Sequence, residues 1–202
     1  MIKKFRKICF QILNKCCIIF TDLKKRVNKM SKLQIKTPED LLNWAKKNGV
    51  FTIPVNIELI CEALGFAVQV GNMSEAEEAH KRKISGALVL FDGNKDILVN
   101  EKDIPERQRF TIAHELAHYF LHHKEGRDAN DRLIVSYRGY RSMQEAEADS
   151  FAAKVLMPEA HLLRIYDEIP IPYITALAAK FNVSRAAMRF RLTAMGKGYI
   201  DL

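Results

Sequence analysis

The chain has 202 residues, 48% of them apolar, enough for one main domain with a core of ordinary size plus appendages. Its four Cys exclude a disulfide framework, since Cys9, Cys16 and Cys17 crowd the first seventeen residues, Cys61 stands alone, and there is no Cys-x-x-Cys. The net charge of +8 belongs to residues 1–29, with nine Lys/Arg against one acid; the other 173 residues carry 23 of each sign, so the excess basicity is local and says little about the body of the protein.

In residues 1–29, Phe5, Cys9, Ile12, Cys16, Ile19 and Leu23 recur at alternating steps of four and three, an amphipathic helical pattern with a basic opposite side. Gln11, Asn14 and Lys15 interrupt the apolar region and no small-residue cleavage site follows, which argues against a signal peptide. No uncharged apolar run approaches the ~18 residues of a spanning helix. Contact with an anionic membrane or a partner fits the pattern. The sharp change of composition at Met30-Ser31-Lys32 instead marks a functional start, with residues 1–29 an appendage.

From residue 37 the elements are well punctuated. Thr37-Pro38-Glu39-Asp40 opens a helix closed by Gly49, and Asn56 caps a second helix through Leu64, with Gly65 as its stop and Ile57, Ile60, Cys61 and Leu64 as its core stripe. Phe66 to Val70 reads as a strand, and the polar stretch Gly71 to Lys83 as a flexible loop without periodicity. Ile84 to Phe91 and Asp96 to Asn100 flank Asp92-Gly93-Asn94 and predict a hairpin. Asp103-x-x-Glu106 with Pro105 then predicts a capped start for the helix on which the rest of the chain converges.

That helix carries His114-Glu115-Leu116-Ala117-His118. At 3.6 residues per turn the two imidazoles share a face, about 6 Å apart in rise, and Glu115 lies beside them. Two His so spaced bind a divalent ion while the Glu serves as general base, the His-Glu-x-x-His chemistry of a metallopeptidase. Phe110, Ala113, Ala117, Phe120 and Leu121 form an apolar stripe that Ile112, Leu116 and Tyr119 extend, so the helix is a buried one, and polar side chains there need partners.

A catalytic zinc takes three protein ligands. His122 lies about 12 Å of rise from His114 and cannot share the ion. A short apolar run, Leu133 to Tyr137, precedes a helix from Ser142 to about Leu156, and Glu145 on that helix is the best third ligand, with Asp149 four residues on as the acceptor for a ligand His. Two readings compete: Ser142-x-x-Glu145 is also a capping box, and Glu147 is an alternative ligand.

Arg107-Gln108-Arg109-Phe110-Thr111-Ile112-Ala113-His114-Glu115-Leu116-Ala117-His118-Tyr119, followed by Glu145 to Ala153 and Leu156-Met157-Pro158, resembles the ImmA/IrrE family of zinc metallopeptidases. Ile53-Pro54-Val55 and Ile84-Ser85-Gly86 fit as well, so the resemblance covers roughly residues 37–160. It implies zinc on His114, His118 and Glu145, with Asp149 behind a ligand, at a position where the family often has Asn. It further implies a substrate class, helix-turn-helix repressors of mobile elements or stress responses. The basic N-terminal segment is a departure from the family pattern.

Ile174 to Leu192 reads as two short helices joined at Phe181-Asn182-Val183, with Ser184 as cap, resembling a helix-turn-helix in which Arg185, Arg189 and Arg191 can face phosphates or a partner. The alternative is a pair of packing helices that completes the domain or docks a repressor. The expectation is thus a cytoplasmic zinc endopeptidase of α+β class, a small antiparallel or mixed sheet packed by helices around the motif helix. Residues 1–29 form the appendage, 30–160 the peptidase domain and 161–202 the helix-turn-helix-like segment. A non-catalytic regulator that binds a transcription factor or DNA through the last helices is the opposing class. Tyr137, Tyr140, Arg141, His122 and His123 are the candidates for oxyanion stabilisation.

Overall fold

The computed structural model describes residues 34–91, 93–123, 132–137 and 142–201. The expected appendage, residues 1–29, lies outside them. Helices α1 (Pro38–Lys47) and α2 (Ile57–Ala63) come first, then β1 (Ala67–Gly71), α3 (Ser74–His80) and the strands β2 (Ile84–Phe91) and β3 (Asn94–Asn100). The motif helix α4 (Pro105–His118) runs into a π-helical turn at Tyr119–His123. After β4 (Arg132–Tyr137) follow α5 (Met143–Leu156), α6 (Glu159–Glu168), α7 (Ile174–Phe181) and α8 (Arg185–Ala194).

The sheet is mixed, in the order β1-β3-β2-β4. β2 and β3 form the expected hairpin, closing with Phe91 opposite Asn94, while β4 pairs antiparallel with the other edge of β2. β1 joins β3 in parallel, Ala67 opposite Asp96. Because consecutive strands β1 and β2 are not neighbours, the chain must cross over between them, and α3 lies in that crossover.

The caps follow the side-chain chemistry. Thr37 and Asp40 form a reciprocal capping box on α1, and Asn56 and Ser142 each accept the N–H three residues on, capping α2 and α5. Gly65 ends α2 with φ +74°, a conformation costly for a residue with a Cβ. Asp103 departs from expectation. Ile104 is the N-cap of α4, with no side-chain cap bond, and the Asp103 carboxylate lies 3.6 Å from Arg107 instead. Burial decides this: Asp103 is 8% exposed, and a guanidinium one turn away compensates its charge better than a peptide N–H.

Gly71 to Lys83 is likewise corrected from loop to helix over Ser74–His80. The anchor is Glu77, whose carboxylate accepts from the Ile84 N–H at 3.0 Å and from Asn100 Nδ2 at 3.2 Å, while Asn100 Nδ2 also reaches the Ile84 carbonyl at 2.8 Å. This polar knot joins α3 to the start of β2 and the end of β3, partners that helical periodicity cannot reveal. Glu77→Ala should cost about 1–3 kcal/mol, because it leaves the buried Ile84 and Asn100 donors without their acceptor; the urea midpoint measures it.

The principal core is continuous from Ile35 to Leu192, and it includes Leu88 and Val99 of the hairpin, Ile112 and Leu116 of α4, Phe151 and Leu156 of α5, and Leu177, Met188 and Leu192 of the last helices. β2 is buried almost throughout, since Ala87 and Val89 pack with Leu98 on the opposite face of the sheet. Among the described residues no helix is long and apolar enough to cross a membrane.

Candidate metal centre

Thr111 to His118 are all buried, so α4 presents its motif inside the protein, between the hairpin and α5. The imidazoles of His114 and His118 turn the same way, with Nε2 atoms 3.0 Å apart. From α5, Glu145 bridges them, Oε2 lying 3.2 Å from His114 Nε2 and Oε1 3.2 Å from His118 Nε2. Ala113 and Ala117 on α4, and Ala148, Ala152 and Ala153 on α5, are buried small residues that let two helices approach closely.

These three side chains fit a metal ion. Four ligands at about 2.0–2.1 Å from a tetrahedral zinc are separated by about 3.3 Å. The spacings of 3.0–3.2 Å here are close to that edge, and one donor atom from each of the three lies within 4.8 Å of the others. Asp149 Oδ1 lies 2.8 Å from His114 Nδ1. With that nitrogen donating to the carboxylate, Nε2 keeps its lone pair for an ion.

The competing ligand is placed elsewhere. Glu147 lies 3.6 Å from Nε2 of His122, a residue of the π-helical turn. Ser142 accepts the Glu145 N–H at 3.1 Å, but the Glu145 carboxylate faces the imidazoles, so only the Ser142 half of the expected capping box forms and the Glu145 side chain belongs to the site. Of the oxyanion candidates, Tyr140 and Arg141 lie outside the described residues, and only the backbone is described for Tyr137 and His123.

Charge is concentrated here. Burial pushes the His114 imidazole down, but its bonds to Asp149 and Glu145 and the negative charge of Glu115 and Asp149 outweigh this and hold its pKa at about 10. Burial pushes Glu145 up, and the two imidazoles more than offset it, bringing its carboxyl to about 2. A site built from two His and three acids favours a cation, whether proton or metal.

Glu115 is fully buried beside this set. Its position depends on Gly86 of β2, where an added Cβ would fall 2.4 Å from Thr111 Cγ2, 2.8 Å from the Leu98 carbonyl oxygen and 3.3 Å from Glu115 Oε1. The helix can lie this close to the hairpin only over a residue without a side chain. Gly86→Ala should therefore cost roughly 1–3 kcal/mol and lower the thermal midpoint by several degrees, since the backbone carbonyl cannot give way.

Arg109 has a structural role that its place in the sequence does not by itself reveal. Its guanidinium donates to the carbonyls of Val55 and Asn182 and lies 3.4 Å from Glu58, joining α4 to the entrance of α2 and to the α7–α8 turn. The signal sequence offers for it is its position on the motif helix, just before the buried stretch Thr111 to His118. Arg191, expected at a phosphate-facing position, is instead 5% exposed and bonds the Met157 carbonyl and Glu159, because its place on α8 faces α5 and α6.

Residues 61–193 match the peptidase M78 family model, described as an IrrE N-terminal-like domain. The chain belongs to this family. Among relatives of this M78 chain, the radiation response metalloprotease IrrE of Deinococcus radiodurans is 35% identical over 101 residues, a match covering 48% of this chain and 30% of that protein. The shared region therefore spans less than a third of the relative's length. The M78 match includes the motif helix, all three converging ligand candidates and the turn between α7 and α8.

Proposed function

We propose that the chain is a zinc-dependent endopeptidase acting on a helix-turn-helix transcriptional repressor. The observation that carries the hydrolytic reading is the convergence of His114, His118 and Glu145 from two helices on one point, next to the Glu115 of the same His-Glu-x-x-His. His114, His118 and Glu145 would hold the ion, which when bound supplies Lewis-acid polarisation of a peptide carbonyl and of water. Asp149 keeps His114 oriented through Nδ1. Glu115 takes the proton of the attacking water on its carboxylate and delivers it to the leaving amine nitrogen, both steps at one residue. The repressor substrate rests on the family resemblance.

The test is to express the chain and its Glu115→Gln variant in parallel in cells that also express helix-turn-helix regulators, and to sequence newly formed protein N-termini. A new N-terminus within a helix-turn-helix regulator, present only with intact Glu115, is the expected result. Zinc-loaded protein producing no Glu115-dependent cleavage would overturn the endopeptidase reading; a cleaved protein of another class would overturn the substrate alone.

A further inference from the structure

The last two helices join as a helix-turn-helix. α7 ends on Asn182 in the left-handed conformation (φ 51°), and Ser184 caps α8 by accepting the Ala187 N–H at 3.2 Å. Met188, Arg191 and Leu192 turn into the core. Arg185 and Arg189, one turn apart, turn outward with side chains 50% and 47% exposed.

Residues 198–201 strap this unit. The Gly198 carbonyl accepts from Tyr166 Oη at 2.7 Å, and Ile200 lies alongside Tyr173, receiving the Ile174 N–H at 2.9 Å and donating to the Pro172 carbonyl at 3.0 Å. The strap ends with the Asp201 carboxylate placing one oxygen on Arg185 and the other on Arg189. Two guanidinia converging on one oxyanion is the arrangement with which arginines grip phosphate.

We propose that Arg185 and Arg189 form a clamp for the phosphate backbone of duplex DNA on the outward face of α8, and that Asp201 occupies this clamp in cis and masks it. Three observations favour DNA over an acidic protein. The frame is a helix-turn-helix, whose second helix is the one that approaches the duplex. Ala186 and Thr193 are exposed near the arginines and are small enough for close approach. Residues 180–202 carry five basic groups, of which Arg191 is turned into the core, and one acid, and that single acid is the one on the clamp. The proposal stands apart from the peptidase reading, since none of these residues touches the metal centre.

The test is fluorescence anisotropy with a labelled mixed-sequence duplex and the full chain, comparing wild type, Asp201→Asn, Asp201→Ser and each with Arg185→Gln and Arg189→Gln added. Freeing two phosphate contacts should tighten binding by about tenfold at low salt and steepen the slope of log K against log salt by about 2, at roughly 0.9 per phosphate. The arginine replacements should abolish both gains. The Ser variant covers the case in which Asn keeps both hydrogen bonds, and unchanged circular dichroism shows that α8 remains folded. Wild-type affinity in both Asp201 variants would overturn the proposal. Competition by poly-L-glutamate as effective as by DNA of equal charge would place a protein partner there and overturn it as well.

Discussion

Glu115→Gln should leave metal content unchanged and lower kcat by about 10²–10⁴-fold, the usual contribution of a positioned general base. The substitution is isosteric, so the fully buried side chain still fills its space over Gly86. What is lost is proton affinity: an amide cannot take the proton of the attacking water, nor return one to the leaving amine. Because the metal ligands are untouched, KM should change little and the loss should fall on kcat. Elemental analysis together with a cleavage assay reads both quantities, and a Gln variant that retains full activity would remove Glu115 from the proposed role.

Glu145→Ala should abolish stoichiometric metal binding, whereas Glu147→Ala should leave it intact. The carboxylate at 145 sits 3.2 Å from both imidazole nitrogens, while that at 147 is turned toward His122. Asp149→Ala should fall between them, weakening affinity by about 10–100-fold, because it removes the acceptor that orients His114 without removing a ligand. Metal uptake should also depend on pH with a definite sign. The pKa of about 10 means that, before an ion binds, His114 carries a second proton at neutral pH, on Nε2 beside the Nδ1–H held by Asp149, so an ion must displace it. Proton release should accompany binding, and affinity should rise with pH through this range and fall on acidification. Titration calorimetry in buffers of different ionisation enthalpy counts the protons, and uptake without release would contradict this electrostatic picture.

Local geometry was readable from the chain alone. A helix places residues four apart on one face whatever surrounds it, so His114, Glu115 and His118 declare themselves by spacing. Capping by Thr37, Asn56 and Ser142 and the hairpin between β2 and β3 are equally local, and they emerged at or near their expected places. The third ligand candidate was legible only as a choice between two carboxylates on one helix, since either Glu145 or Glu147 satisfies the pattern.

Tertiary structure decided what depends on partners distant in sequence. The angle of α5 against α4 turns Glu145 toward the imidazoles and sends Glu147 to His122. A buried carboxylate finding donors on two strands makes a helix of the stretch around Glu77, where periodicity showed nothing. Packing against α5 and α6 takes Arg191 out of solvent, and the strap brings Asp201 onto Arg185 and Arg189. A sequence pattern reports which face a residue shares with its near neighbours; which charge it meets across the fold depends on where other elements come to rest, and there a fraction of a turn redirects a side chain from one partner to another.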